Sequence, residues 1–184
     1  MNLQMLLHAL LSLGVYTSAV AYLGQTKEIT FMKSLLNYLY AVTLSTVIHL
    51  PTTDTFTPSM MFVWVLLADV IFTLTHRALH TPYLYSMHKE HHMHHSPKAA
   101  DTFDANPFEF IFGNVATAVL PMILFPADVY TQCIWVVVAT LNTILSHHHD
   151  GPHTMHHRLL KCNYGQGLYL FDRLCGTYTP FVAS

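Results

Sequence analysis

Residues 59–80 read SMMFVWVLLADVIFTLTHRALH, an apolar run that ends in a pair of histidines. From 59 to 75 it holds one charge, Asp69, and neither Gly nor Pro. As a helix such a run extends about 25 Å, close to one hydrocarbon thickness. It ends in His76-Arg77-Ala78-Leu79-His80, stopped by Thr81-Pro82. Histidines four apart share a helix face about one turn apart, so both imidazoles can reach a single ion. Asp69, seven residues before His76, lies on the same stripe. A carboxylate at membrane depth needs a partner, which an imidazole N–H or Arg77 would supply.

Outward from this stretch, four more apolar runs occupy 5–24, 34–50, 108–125 and 129–146. The chain is 52% hydrophobic and only 10% charged, where a soluble domain carries about 25% charged residues. The expected fold is all-α and integral to the membrane. Four or five transmembrane or re-entrant helices belong to one domain over 1–184, under a histidine-rich helical cap built from 76–107 and 147–184. The last two runs are joined only by Pro126-Ala127-Asp128, which suits either two full spans or a re-entrant hairpin. Ala19-Val20-Ala21 resembles a signal-peptidase site, but Met1-Asn2-Leu3-Gln4 lacks a basic region, so a retained first helix is expected.

With three spans before His76, all eight basic residues (Lys27, Lys33, Arg77, Lys89, Lys98, Arg158, Lys161, Arg173) fall on one side, and connections 51–58 and 126–128 have none. That side, which carries the histidines, is expected to be cytosolic. The net charge of -2, with no cationic tract, argues against nucleic acid as a partner. Cys133, Cys162 and Cys175 form no CxxC pair and no disulfide framework.

All of the fifteen histidines except His8 and His49 fall within 76–95 and 147–157. The HxxHH pattern occurs at His88, His91 and His92, and again at His153, His156 and His157, the latter preceded by His147-His148-His149-Asp150-Gly151. With His76 and His80 this gives eight imidazoles on one membrane face. That number suits two metal ions with open positions and exceeds the needs of one closed tetrahedral zinc site. No HExxH and no GxSxG occurs, so hydrolytic zinc and serine chemistry are unsupported, and no catalytic residue is expected beyond the metal ligands. A histidine-rich metal transporter or store is the different-class alternative. It would line a path through the spans with ligands, and the five runs hold only two charged residues, Asp69 and Glu109, the latter at the very start of its run.

These residues resemble the fatty acid hydroxylase superfamily of membrane di-iron oxygenases, closest to its sterol C-5 desaturase and sterol C-4 methyl oxidase branch. The similarity rests on His76-Arg77-Ala78-Leu79-His80, His88-Lys89-Glu90-His91-His92 with Ser96-Pro97, Pro107-Phe108-Glu109, His149-Asp150-Gly151, His153-Thr154-Met155-His156-His157, Asn163-Tyr164-Gly165 and Phe171-Asp172-Arg173-Leu174-Cys175-Gly176-Thr177. The resemblance implies two iron ions, for which zinc can substitute in isolated protein. It further implies a location in the endoplasmic reticulum membrane and electrons from NAD(P)H through cytochrome b5 and its reductase. The implied substrate is a lipid, preferably a sterol, desaturated or hydroxylated with O2; a fatty acyl chain, sphingolipid or alkane is the alternative. Together with the spacing it extends the ligand set to His149.

Three positions depart from the family pattern. Asn106 stands where a histidine is frequent, Phe171 replaces a Trp, and only Asp150-Gly151-Pro152 separates His149 from His153. The short separation leaves open which of His147, His148 and His149 reaches the metal. Asp69, Asn163, Asp172 and Arg173 are candidates for supporting the ligands, Asn163 by bonding an imidazole and Asp172-Arg173 by bracing the cap; Gly165 reads as a left-handed helix stop. His8 and His49 read as packing or anchoring residues.

Overall fold

The computed structural model describes residues 3–23, 28–44, 47–148 and 150–181. Its long elements are α1 (Leu3–Tyr22), α2 (Glu28–Leu44), α3 (Met60–Leu79), α5 (Pro107–Leu124) and α6 (Val129–His148), with short helices α4 (Tyr85–His88), α7 (Pro152–Leu159) and α8 (Leu170–Leu174). There is no strand among the described residues. Helices α1, α3, α5 and α6 are long and apolar enough to cross a membrane.

Side-chain pairs fix the register of the bundle. Gln4 donates to Gln132 and Ser12 bonds Thr140, so α1 and α6 run in step in one direction. The Trp64 and Trp135 rings, with centroids 5.9 Å apart, align α3 with α6. At the end remote from the histidines, Trp64 Nε1 donates to Phe125 O, so α5 returns antiparallel to α3. Leu7, Leu36, Phe62, Leu66, Leu141 and Leu145 point outward, while Asn37, Thr73, Gln132 and Thr140 are buried and hydrogen-bonded. Apolar outside with hydrogen-bonded polar groups inside is the distribution that a lipid solvent selects.

The second apolar run, 34–50, differs most from its helix. Helix α2 starts earlier, at Glu28, and ends at Leu44, and the residues leading into Pro51 are not helical. Pro51 disfavours the α region for Leu50 before it, which keeps a helix from reaching the end of the run. Inside α2, Asn37 donates to Phe103 O and Ala105 O and so holds the cap segment that follows the histidines. Lys33 pairs with Glu90 and lies 3.7 Å from Asp104, which ties the same helix to the cap.

Candidate metal centre and lipid cavity

Two groups of imidazoles converge where α3, α6 and α7 meet the cap. The first holds His76, His80, His88, His92 and His156; the second holds His91, His147, His153 and His157. Each arrives for a local reason. His76 and His80 are one turn apart on α3, His88 ends α4, and His91 and His92 form the 3-10 turn that follows. Pro152 opens α7 and sets His153, His156 and His157 on its inner side. The groups adjoin: His92 and His157 have ring centroids 4.6 Å apart.

The nitrogen geometry suits cations. In the first group the Nε2 atoms of His76 and His88 are 2.9 Å apart, His88 and His92 2.8 Å, His80 and His92 3.1 Å, His80 and His156 3.1 Å. In the second, His91 and His147 are 3.1 Å apart and His147 and His153 3.3 Å. Ligand nitrogens at about 2.0–2.1 Å from a shared ion lie about 2.9–3.4 Å from one another in octahedral or tetrahedral arrangement. For His91 and His147 a hydrogen bond between the rings does not account for the contact. His76 Nδ1 donates to Tyr164 O at 2.7 Å, His156 Nδ1 to Cys162 O at 2.6 Å, His91 Nδ1 to Asp104 O at 3.2 Å and His147 Nδ1 to Thr143 O at 2.8 Å. A neutral ring that donates from Nδ1 has a bare lone pair on Nε2. His91 and His147 therefore turn lone pairs toward each other, an arrangement that a cation between them makes favourable. The residues fit a metal pair, with outer partners of the kind that orient ligating imidazoles.

Burial keeps the rings neutral. It pushes His80 and His91 down to about 4 and His156 to about 3, and holds His88, His92, His153 and His157 well below the ordinary histidine value. Neutral imidazole is the form that binds metal.

Behind the rings stands a carboxylate scaffold. Glu109 Oε1 lies 2.9 Å from His88 Nδ1. Asp172, fully buried, accepts from the backbone N–H groups of Tyr164 and Gly165 and from the Thr177 hydroxyl, and so fixes the carbonyl that holds His76. Gly165 is required by space rather than by a left-handed turn: a Cβ there would stand 2.9 Å from Asp172 Oδ2 and 3.0 Å from Thr73 Oγ1. Among the described residues the left-handed positions are Leu160, Asn163 and Tyr169, with φ of 62°, 53° and 53°, together with Gly167 and Gly176.

Of the supporting candidates, Asp69 Oδ2 accepts from Phe171 N at 2.9 Å, at the start of α8, and neither an imidazole nor Arg77 bonds it. Asn163 straps the cap by donating to Pro152 O and Thr179 O, with no imidazole contact. Arg173 is exposed and stacks on Tyr178, turned away from Asp172. Of the three consecutive histidines, His147 lies in the second group; His149 lies outside the described residues. Glu109 had a signal in Pro107-Phe108-Glu109, but its role had none, and the Tyr164, Cys162 and Asp104 carbonyls leave no trace in a sequence.

A cavity of about 430 Å³ runs among α1, α3, α5 and α6, walled chiefly by apolar residues such as Met5, Val65, Val119, Trp135 and Val136. Phe72 and Asn114 line it and also border a space of about 20 Å³ enclosed by His76, His88, His91 and His147. That space holds about one water-sized molecule. Asn114 reaches it from the π-helical turn Phe110–Val115 of α5, a feature frequent at functional sites.

Residues 61–177 match the fatty acid hydroxylase family. The chain belongs to that family. Among fatty acid hydroxylase relatives, it is 32% identical to a very-long-chain aldehyde decarbonylase, GL1-11, of Oryza sativa subsp. indica over 139 residues, 65% of this chain and 52% of that protein. It is 31% identical to a Delta(7)-sterol 5(6)-desaturase of Leptosphaeria maculans over 60% of this chain and 34% of the relative. To fatty acid hydroxylase domain-containing protein 2 of Macaca fascicularis it is 30% identical over 65% of this chain and 38% of the relative. The chain thus spans about half or less of the length of these relatives. No solved structure matches it. Against the fatty acid hydroxylase pattern, Asn106 caps α5 by accepting from Phe108 N at 2.9 Å, and Phe171 contributes its N–H to Asp69.

Proposed function

We propose that this chain carries the active centre of a membrane oxygenase that desaturates or hydroxylates a lipid, with two iron ions held by the two histidine groups. The supporting observation is the abutment of the histidine-lined space of about 20 Å³ on the apolar cavity, with Phe72 and Asn114 common to both. Bound iron supplies the redox chemistry that activates dioxygen, which no side chain here provides. His76, His80, His88, His92 and His156 hold one ion, His91, His147, His153 and His157 the other, with His149 a further candidate. Glu109 and the carbonyls of Tyr164, Cys162, Asp104 and Thr143 orient the rings, and the apolar wall excludes water from the lipid.

The overall reaction takes a C–H bond, O2, two electrons and two protons to an alcohol and water, or removes two hydrogens to leave an alkene and two waters. The electrons come from NAD(P)H through cytochrome b5 and its reductase. The histidine end faces the cytosol, and the membrane is that of the endoplasmic reticulum. Asn163-Tyr164-Gly165-Gln166 and the sterol desaturase relative favour a sterol; the aldehyde decarbonylase relatives favour a long-chain acyl or aldehyde substrate. Protein reconstituted with iron under reducing conditions is assayed with O2, reduced cytochrome b5 and both substrate classes side by side. Close to two metal equivalents and O2-dependent product are expected. Turnover without O2, or one metal equivalent or none, overturns the reading.

A further inference from the structure

Among the described residues, two groups lining the cavity have buried atoms without a hydrogen-bond partner, Asp69 through Oδ1 alone and His8 through its whole ring. His8 lies on α1, 4% exposed, and lines the cavity. Both ring nitrogens are buried without a hydrogen-bond partner. A buried imidazole without partners is unfavourable, and it belongs where an occupant completes it. Packing alone does not explain it, because an aliphatic side chain would fill the same place without that cost.

Its depth follows from the helix register. Gln4 meets Gln132 and Ser12 meets Thr140, so His8 is level with Val136, eleven residues before His147. At the rise of an α-helix this is about 16 Å from the histidine centre. The cavity therefore carries its unsatisfied imidazole near the end remote from the metal groups.

The chemistry selects the occupant. A neutral imidazole presents one N–H and one lone pair, and a hydroxyl can serve either. A carboxylate is disfavoured: no Lys or Arg lines the cavity among the described residues, and Asp69 does. A plain alkyl chain leaves both nitrogens as they are. We propose that His8 binds a hydroxyl of the lipid at the far end of the cavity, so that the oxidised carbon lies about 16 Å from that hydroxyl. This rests on the lipid-oxygenase reading and narrows it. The carbon attacked is in the side chain of a sterol rather than its hydroxyl-bearing ring, or well along the chain of a long-chain alcohol.

Binding can be read without turnover, because the chain has two tryptophans, Trp135 in the cavity wall and Trp64 beside it. Full-length protein in phosphatidylcholine nanodiscs is loaded with a bromoalkane that quenches them, and the probe is displaced by a long n-alkane or the matching primary alcohol. Comparing wild type with His8→Leu cancels partitioning into the bilayer. The alcohol should need about 5- to 10-fold more lipid to displace the probe from His8→Leu than from wild type, the effect of one hydrogen bond, while the alkane is unchanged. His8→Gln should recover part of the difference, and decides the matter if His8→Leu does not fold. An alcohol response equal in wild type and variants, or no displacement by either lipid, overturns the proposal. An equal response with O2-dependent product removes the hydroxyl site and leaves the oxygenase; a clear alcohol effect with no product under iron reconstitution does the reverse.

Discussion

The Glu109 carboxylate stands 2.9 Å from His88 Nδ1, both groups almost fully buried. Glu109 comes from the first turn of α5 and His88 from the end of α4, so the contact links a membrane helix to the cap. A proton held on Nδ1 in front of this carboxyl group would leave the Nε2 lone pair of His88 turned toward His76 and His92.

Glu109→Gln should therefore weaken metal binding about 10- to 100-fold, the usual effect of losing the outer partner of a ligand. Chelator competition on purified protein measures it. Affinity equal to wild type would show that His88 is oriented by its own turn alone.

His147 and His94 are both clustered histidines, but their surroundings differ. His147 Nε2 faces His91 and His153, whereas His94 Nε2 lies 2.8 Å from Asp104 Oδ2 and belongs to neither group. His147→Ala should reduce bound metal from about two equivalents toward one, because it removes a ligand from a four-nitrogen group. His94→Ala should keep both. Metal analysis of the two variants, prepared together, separates ligand from neighbour.

Gly165→Ala should destabilise the cap by about 1–3 kcal/mol, since the new methyl displaces either the Asp172 carboxylate or the Thr73 hydroxyl. Displacing Asp172 also loosens the Tyr164 carbonyl that holds His76. A thermal melt with and without metal should show the loss in both states. An unchanged melting temperature would mean that the cap yields without strain.

The sequence was most legible where chemistry follows a repeat. The runs at 5–24, 59–75, 108–125 and 129–146 match four candidate spans within a few residues, because length and hydropathy are what a bilayer tests. The run at 34–50 reads less well: hydropathy does not register that Asn37 is needed to hold Phe103 and Ala105, nor that the helix is described only to Leu44, short of the run's end. In the centre, fixed spacing brought His76, His80, His88 and His92 together with His156, and His91 together with His153 and His157. The choice among three consecutive histidines depends on the phase of α6 at its end, which spacing alone does not give. Asp69 was legible as a buried charge in need of a partner, but Phe171 N is 102 residues away and is a backbone group.

The metal-free protein should lose stability as pH falls. Burial places the folded His80 and His91 near 4 and His156 near 3, whereas the unfolded rings titrate near the ordinary 6.5. Between those limits the unfolded chain binds more protons than the folded one, so stability rises with pH across that window and levels off above it. Melting temperatures of chelated protein should fall progressively from pH 7.5 to 5. A flat profile would mean that the rings are hydrated.

His91→Ala should abolish product formation while the protein stays inserted in the membrane. His91 Nε2 faces His147, its Nδ1 is fixed by Asp104 O, and its ring centroid is 5.7 Å from that of His88 in the first group. It also borders the space of about 20 Å³ that abuts the lipid cavity, so its loss opens the second group on the substrate side. The pairs that set the bundle, Gln4 with Gln132, Ser12 with Thr140 and Trp64 with Trp135, lie among the spans and do not involve it. Membrane fractionation and the oxygen-dependent product assay on one preparation test both halves. Product from inserted His91→Ala protein would place the chemistry away from the histidine centre, and failure to insert would mean that the cap contributes to folding.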